Sequence, residues 1–101
     1  MFDAHLEAYT LTPACTRTVV VPANGKHFTL KELQGYVGGY VEIQDLGDGR
    51  KLCLNEEGKL YGLPANAGAT LLWHAANRDD PFVRSDVVVG TVLVCNASQL
   101  R

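Results

Sequence analysis

The carboxylate and imidazole side chains of this 101-residue sequence that could be assembled into one site lie between Asp48 and His74. Asp48, Glu56, Glu57 and His74 supply oxygen and imidazole groups, the types that bind divalent ions or move protons. Their spacing follows neither the HExxH pattern of a helical zinc site nor the Asp-rich loop of a calcium site. Neighbouring side chains of an extended segment point to opposite faces, so Glu56 and Glu57 are expected to diverge, and a solvated turn is their expected setting. Cys15, Cys53 and Cys95 with His5, His27 and His74 offer thiol–imidazole pairs for nucleophilic catalysis, but such combinations arise by chance. No spacing fixes any pair within the roughly 3 Å that the chemistry needs. Gly35, Gly38 and Gly39 miss the spacing of a phosphate-binding loop, and they precede a strand-like run where a dinucleotide fingerprint would follow one. No catalytic residue, metal ligand or cofactor is assigned.

The loop that follows is more open. Pro64 stiffens residues 62–66, Asn66 offers both a donor and an acceptor, and exposed amides there suit a peptide or small polar ligand. The expected recognition surface comprises Glu56, Glu57, Gly62, Pro64 and Asn66, joined by Trp73 and His74. Tyr40, Tyr61 and Trp73 are amphipathic aromatics of the kind enriched at contact sites. The expected function is therefore that of a non-enzymatic accessory or regulatory binding protein. The alternative is a small hydrolase or nucleotide-handling enzyme that uses Glu56, Glu57 or His74. Expected partners are a protein or a small polar ligand, and a homodimer joined at an exposed sheet edge is a further expectation.

Positioning these groups requires a strand before the turn and a helix after the loop. Residues 51–54 form an apolar run that closes on Asn55, Glu56, Glu57 and Gly58, where Gly58 is expected at positive φ. A short strand over 59–61 is expected to fold back, and Asn66 to cap a helix over 67–76. Upstream, Thr29 and Glu32 form a capping box, with Phe28 placed to pack on Leu33. Leu30, Leu33 and Val37 make an apolar stripe, and Gly38 and Gly39 stop the helix. Residues 40–46 alternate, with Val41 and Ile43 opposite Glu42 and Gln44, and pair through Gly47, Asp48 and Gly49 with Leu52 and Leu54. Weaker strands are read over 5–11 and 17–21. Residues 77–81 are a polar break, with Phe82 expected to plug the core beneath. Residues 87–95, VVVGTVLVC, are expected as a buried central strand, bulged at Gly90 or closely approached there. The expected fold class is α+β, a small mainly antiparallel four- or five-stranded sheet with two short helices, in a single domain over 1–101.

Composition narrows the function classes. Hydrophobic residues make up 47% of the chain, which supports one packed core. Formal charge is -2, and basic residues are scattered apart from Arg50 and Lys51, so backbone-driven nucleic-acid binding is not expected. Three cysteines without CxxC spacing do not form a disulfide scaffold or a zinc knuckle, and Cys53 and Cys95 within strand-like runs are expected as buried apolar residues. No apolar stretch approaches the roughly 20 residues that cross a bilayer, and the N-terminus lacks the basic start of a signal peptide. The expected compartment is the cytoplasm, with no membrane association.

Three blocks taken together, LQGYVGGYVEI from Leu33, NEEGKLYGLPAN from Asn55 and VVVGTVLVC from Val87, resemble a family of uncharacterised phage and bacterial proteins, DUF3846. The resemblance covers the chain from about Thr18 to Cys95. It implies a phage or mobile-element accessory protein and carries no catalytic assignment. The cysteines and the WHAANRDD segment from Trp73 fall outside its pattern.

Overall fold

The computed structural model describes residues 7–100. Five antiparallel strands form one sheet in the order β2-β1-β5-β4-β3. They are β1 (Ala8–Leu11), β2 (Arg17–Val20), β3 (Val41–Asp45), β4 (Arg50–Asn55) and β5 (Val92–Asn96). Helices α1 (Leu30–Val37), α2 (Ala67–Ala76) and the single turn α3 (Pro81–Arg84) complete the fold with a 3₁₀ turn at Ala97–Gln99. Of the expected strand over 5–11, His5 and Leu6 lie outside the described residues.

Side chains alternate across a sheet, and here both faces are covered. On one face Ala8, Cys53, Leu93 and Cys95 pack with Phe28 and Leu33 around α1. On the other, Leu52, Val92 and Val94 meet Ala69 and Trp73 of α2 together with Val88. The β3–β4 register sets Ile43 against Cys53 and Gln44 against Leu52, so the apolar residues of the two strands fall on opposite faces. Leu52 and Leu54 thus share a face with Gln44 and Glu42. The resulting mixed α+β fold agrees with the expected class.

Helix α1 begins and ends as its residues dictate. Thr29 accepts from the Glu32 amide, Glu32 Oε1 accepts from the Thr29 amide at 2.8 Å, and Gly38 closes the helix at φ 82°. Glu32 Oε2 also accepts from the Ala23 amide, and these amides hold its carboxyl below the usual range. The apolar stripe is narrower than expected: Leu33 and Val37 are buried, but Leu30 is 63% exposed. In α2 the buried side is Ala69 and Trp73, four residues apart, while Leu71 faces outward. Phe82 is also exposed rather than buried, because Asp80 and Pro81 start α3 and turn Val83 toward the core in its place.

The central strand starts later than its sequence suggests. Gly90 takes φ 79°, and a Cβ there would lie 2.8 Å from Leu63 Cδ1. Both a left-handed backbone and a close approach interrupt the run. Only Val92–Asn96 pairs with β1 and β4, while Val89 makes an isolated bridge to Ala65.

Candidate recognition site around residues 55–62

Strand β4 ends at Asn55, whose buried side chain ties three segments together. Its Nδ2 donates to the Val37 carbonyl at 3.2 Å, and its Oδ1 accepts from the Glu57 amide at 2.8 Å. The Glu56 amide donates to the Tyr40 carbonyl at 2.8 Å. Gly39 is required beside this knot, since a Cβ would stand 2.9 Å from Asn55 Nδ2. The turn is therefore fixed to the end of α1 and the entry to β3.

Beyond it the chain coils instead of forming the expected strand over 59–61. The Tyr61 amide donates to the Glu57 carbonyl at 3.1 Å and the Leu63 amide to the Gly58 carbonyl at 3.0 Å. Both edges of β4 are already taken by β3 and β5, so residues 59–61 cannot fold back onto β4 as a further strand. Gly58 is needed for space rather than for positive φ: a Cβ would lie 2.8 Å from Val89 Cγ2. The left-handed residue is Gly62, at φ 68°.

Two different sites open on the sides of this turn. Glu56 stands at a recess of about 90 Å³ with Glu42, Lys59, Asp86 and Trp73, walled by Leu54 and Val88. Lys59 Nζ pairs with Asp86 Oδ1, and that bond is the main cause that holds the Asp86 carboxyl below its ordinary range. Glu57 turns to a wider groove of about 590 Å³ between Tyr40 and Tyr61, edged by Lys31 and Gln34. Tyr61 donates to Glu57 Oε1 at 3.4 Å. Gly35, Gly38 and Gly39 bring bare backbone to the groove.

The remaining expected residues are placed elsewhere. Gly62 is exposed at the end of the coil, and Pro64 borders a separate hollow with Tyr36 and Leu63. Asn66 is 0% exposed. Its Nδ2 donates to the carbonyls of Leu11 at 2.9 Å and Gly90 at 2.8 Å, and its Oδ1 accepts from the Ala69 amide at 3.0 Å. The donor and acceptor expected at the surface are thus spent on capping α2 and holding it to the sheet. His74 Nε2 lies 2.7 Å from the Asp86 carbonyl, and the ring borders a hollow with Leu71, Arg78 and Arg84. Asp48 binds Arg50 Nε at 2.9 Å beside the β3–β4 hairpin turn. The structure brings Glu56 and Trp73 together, separates Glu57 from both, and leaves His74 outside either site.

Sequence reasoning missed Glu42, Lys59 and Asp86 in the recess, and Lys31 and Gln34 at the groove. The signal for Glu42 lay in strand register, because Glu42 faces the α2 side only once it is paired with Leu54. Among the described residues, no group of three or more His, Cys, Asp and Glu side chains is placed to hold a metal ion. Cys53 and Cys95 are buried and Cys15 is exposed, all as free thiols. A hydrogen bond with Cys95, then burial, pushes the Cys53 thiol well above its ordinary pKa.

A five-stranded antiparallel sheet with helices on both faces and a turn open on two sides defines a mixed α+β protein. Within that class the chain belongs to the family described as Domain of unknown function (DUF3846), whose pattern it matches over residues 8–99. Searches of curated proteins and of solved structures gave no match.

Proposed function

We propose that this is a non-enzymatic accessory or regulatory binding protein, of phage or mobile-element type and acting in the cytoplasm, whose recognition surface is the groove beside residues 55–62. The observation that carries the reading is the pair Tyr40 and Tyr61, 64% and 65% exposed, facing one hollow across Glu57. Two exposed aromatics lining one hollow form the kind of patch that marks a contact site, and tyrosine supplies both apolar area and a hydroxyl there. The lack of side chains at Gly38 and Gly39 leaves room for a peptide main chain to approach the groove. A protein segment is the proposed partner.

Two features favour this over the enzyme alternative. Glu56 and Glu57 open on different sites, and the His74 ring lines neither, its Nε2 being engaged with the backbone carbonyl of Asp86. Acid–base catalysis needs such groups within reach of one reacting atom. The test is recovery of partners from native lysate with wild type and a Y40A/Y61A variant of matched circular dichroism. Loss of a partner by the variant is the expected result. Equal recovery by both proteins would remove the groove from the proposal, and a small molecule consumed by the wild type would move the protein to the enzyme class.

A further inference from the structure

We propose that the hollow between α2 and the end of α3 binds a small organic phosphate monoester, held by Arg78 and Arg84 beside His74. None of the residues that line it lines the Tyr40–Tyr61 groove, so the site does not depend on the function proposed there.

Helix periodicity assembles one wall. Leu71, His74, Ala75 and Arg78 recur at the three- and four-residue spacings that put side chains on one side of a helix, here α2 and the residues that follow it. Arg84, the last residue of α3, closes the hollow with Asp79. Its volume of about 530 Å³ lies within the roughly 300–1,000 Å³ of small-ligand sites.

Both arginines stand where a cation commonly serves a helix end, and neither serves it. At the end of α2 the Asn77 amide donates to the His74 carbonyl at 3.1 Å, and Asn77 Nδ2 donates to the Trp73 carbonyl at 3.0 Å. At the end of α3 the Ser85 amide donates to the Pro81 carbonyl at 3.1 Å, and Ser85 Oγ donates to the Phe82 carbonyl at 3.0 Å. Two acids of the segment are also engaged elsewhere. Asp80 Oδ1 accepts from the Phe82 and Val83 amides, and Asp86 pairs with Lys59. Neither guanidinium makes an ion pair or hydrogen bond with a described residue. In a chain of formal charge -2, two arginines against the single carboxylate of Asp79 leave this hollow an excess of positive charge.

The donors select the anion. A guanidinium is a planar fork that matches phosphate oxygens in pairs, and a phosphate monoester brings three terminal oxygens and close to two negative charges at neutral pH. A carboxylate brings two oxygens and one charge. His74 Nε2 lies 2.7 Å from the Asp86 carbonyl, which can only accept, so that nitrogen carries the proton. The bond holds the ring at the border of the hollow with Nδ1 as its remaining polar atom. Leu71, 69% exposed, and Ala75 supply apolar wall for the organic part of the ester.

The test is a titration of ¹⁵N-labelled protein with phenyl phosphate. The side-chain Nε–H resonances of Arg78 and Arg84 and the amides of Leu71 and Ala75 should move together to saturation, with a Kd on the order of 1 mM. Phenol should give no saturable movement, and benzoate should bind about threefold more weakly or worse. An R78Q/R84Q variant loses two exposed, unpaired side chains and should bind about tenfold more weakly at unchanged circular dichroism. K26Q, which removes an exposed cation from the loop before α1, should bind as wild type does. No saturable movement, an equal response to phenol or benzoate, unchanged affinity in R78Q/R84Q, or an equal loss in K26Q would overturn the proposal. The three probes are compared on wild type, so that part of the test stands whatever the variants do.

Discussion

Asn66 was legible in the sequence as a helix cap and illegible as a fastening between strands. A polar residue before AGATLLW announces an N-cap locally, but its two other bonds go to carbonyls 55 and 24 residues away in the chain. Replacing it with alanine removes the cap and strands two buried acceptors, so N66A should lose about 3 kcal/mol of stability by thermal or urea unfolding. A loss under about 1 kcal/mol would contradict the fastening role. Cys53 and Cys95 were easier, because their apolar strand-like surroundings already imply burial. Ellman's reagent should titrate Cys15 rapidly in the native protein and reach Cys53 and Cys95 only on opening or denaturation. Rapid reaction of all three thiols would show that the α1 face of the sheet is not closed as described.

Among the elements, α1 could be read almost completely, since its cap, staple and glycine stop all lie within one short stretch. The coil at 56–62 could not. Whether residues 59–61 pair back on β4 depends on a free edge of that strand, and its second edge is taken by β5, distant in sequence. Gly58 was misassigned for a related reason: positive φ is a local property, whereas its contact with Val89 is a tertiary one. G58A should therefore destabilise by about 1–3 kcal/mol through overpacking, and shortening Val89 in G58A/V89A should recover part of that loss. Failure of the second change to restore any stability would place the cost in the backbone instead. The outward Leu71 and Phe82 have a common lesson. A helix of mostly apolar residues does not declare which face it buries until Trp73 finds the sheet.

For the whole molecule, alternation in β3 and β4 predicted a sheet but not that both faces would be covered, which follows only from register. That register also brings Glu42 and Glu56 together. The carboxyls of Glu32, Asp45 and Asp86 all sit below their ordinary pKa, owing mainly to the Thr29 amide, the Gly47 amide and Lys59 respectively. A depressed folded pKa adds stability above the unfolded value, near 4, and loses it as pH falls through the folded one. Melting temperature should hold from these groups at neutral pH and decline below about pH 4, with a shallower decline in E32Q. An identical acid profile in E32Q would remove Glu32 from that account. No helix of the described residues is long and apolar enough to cross a membrane, and the surface carries its exposed tyrosines on one side of the 55–62 turn.

That placement is the central claim, and photo-crosslinking tests it without disturbing the fold. A benzophenone amino acid set at Tyr40 or Tyr61 should yield the same discrete adduct in native lysate, with none from Phe82, which is 85% exposed at a different site. Adducts from Phe82 that match those from Tyr40 and Tyr61, or no adduct from either tyrosine position, would contradict the groove as the recognition surface.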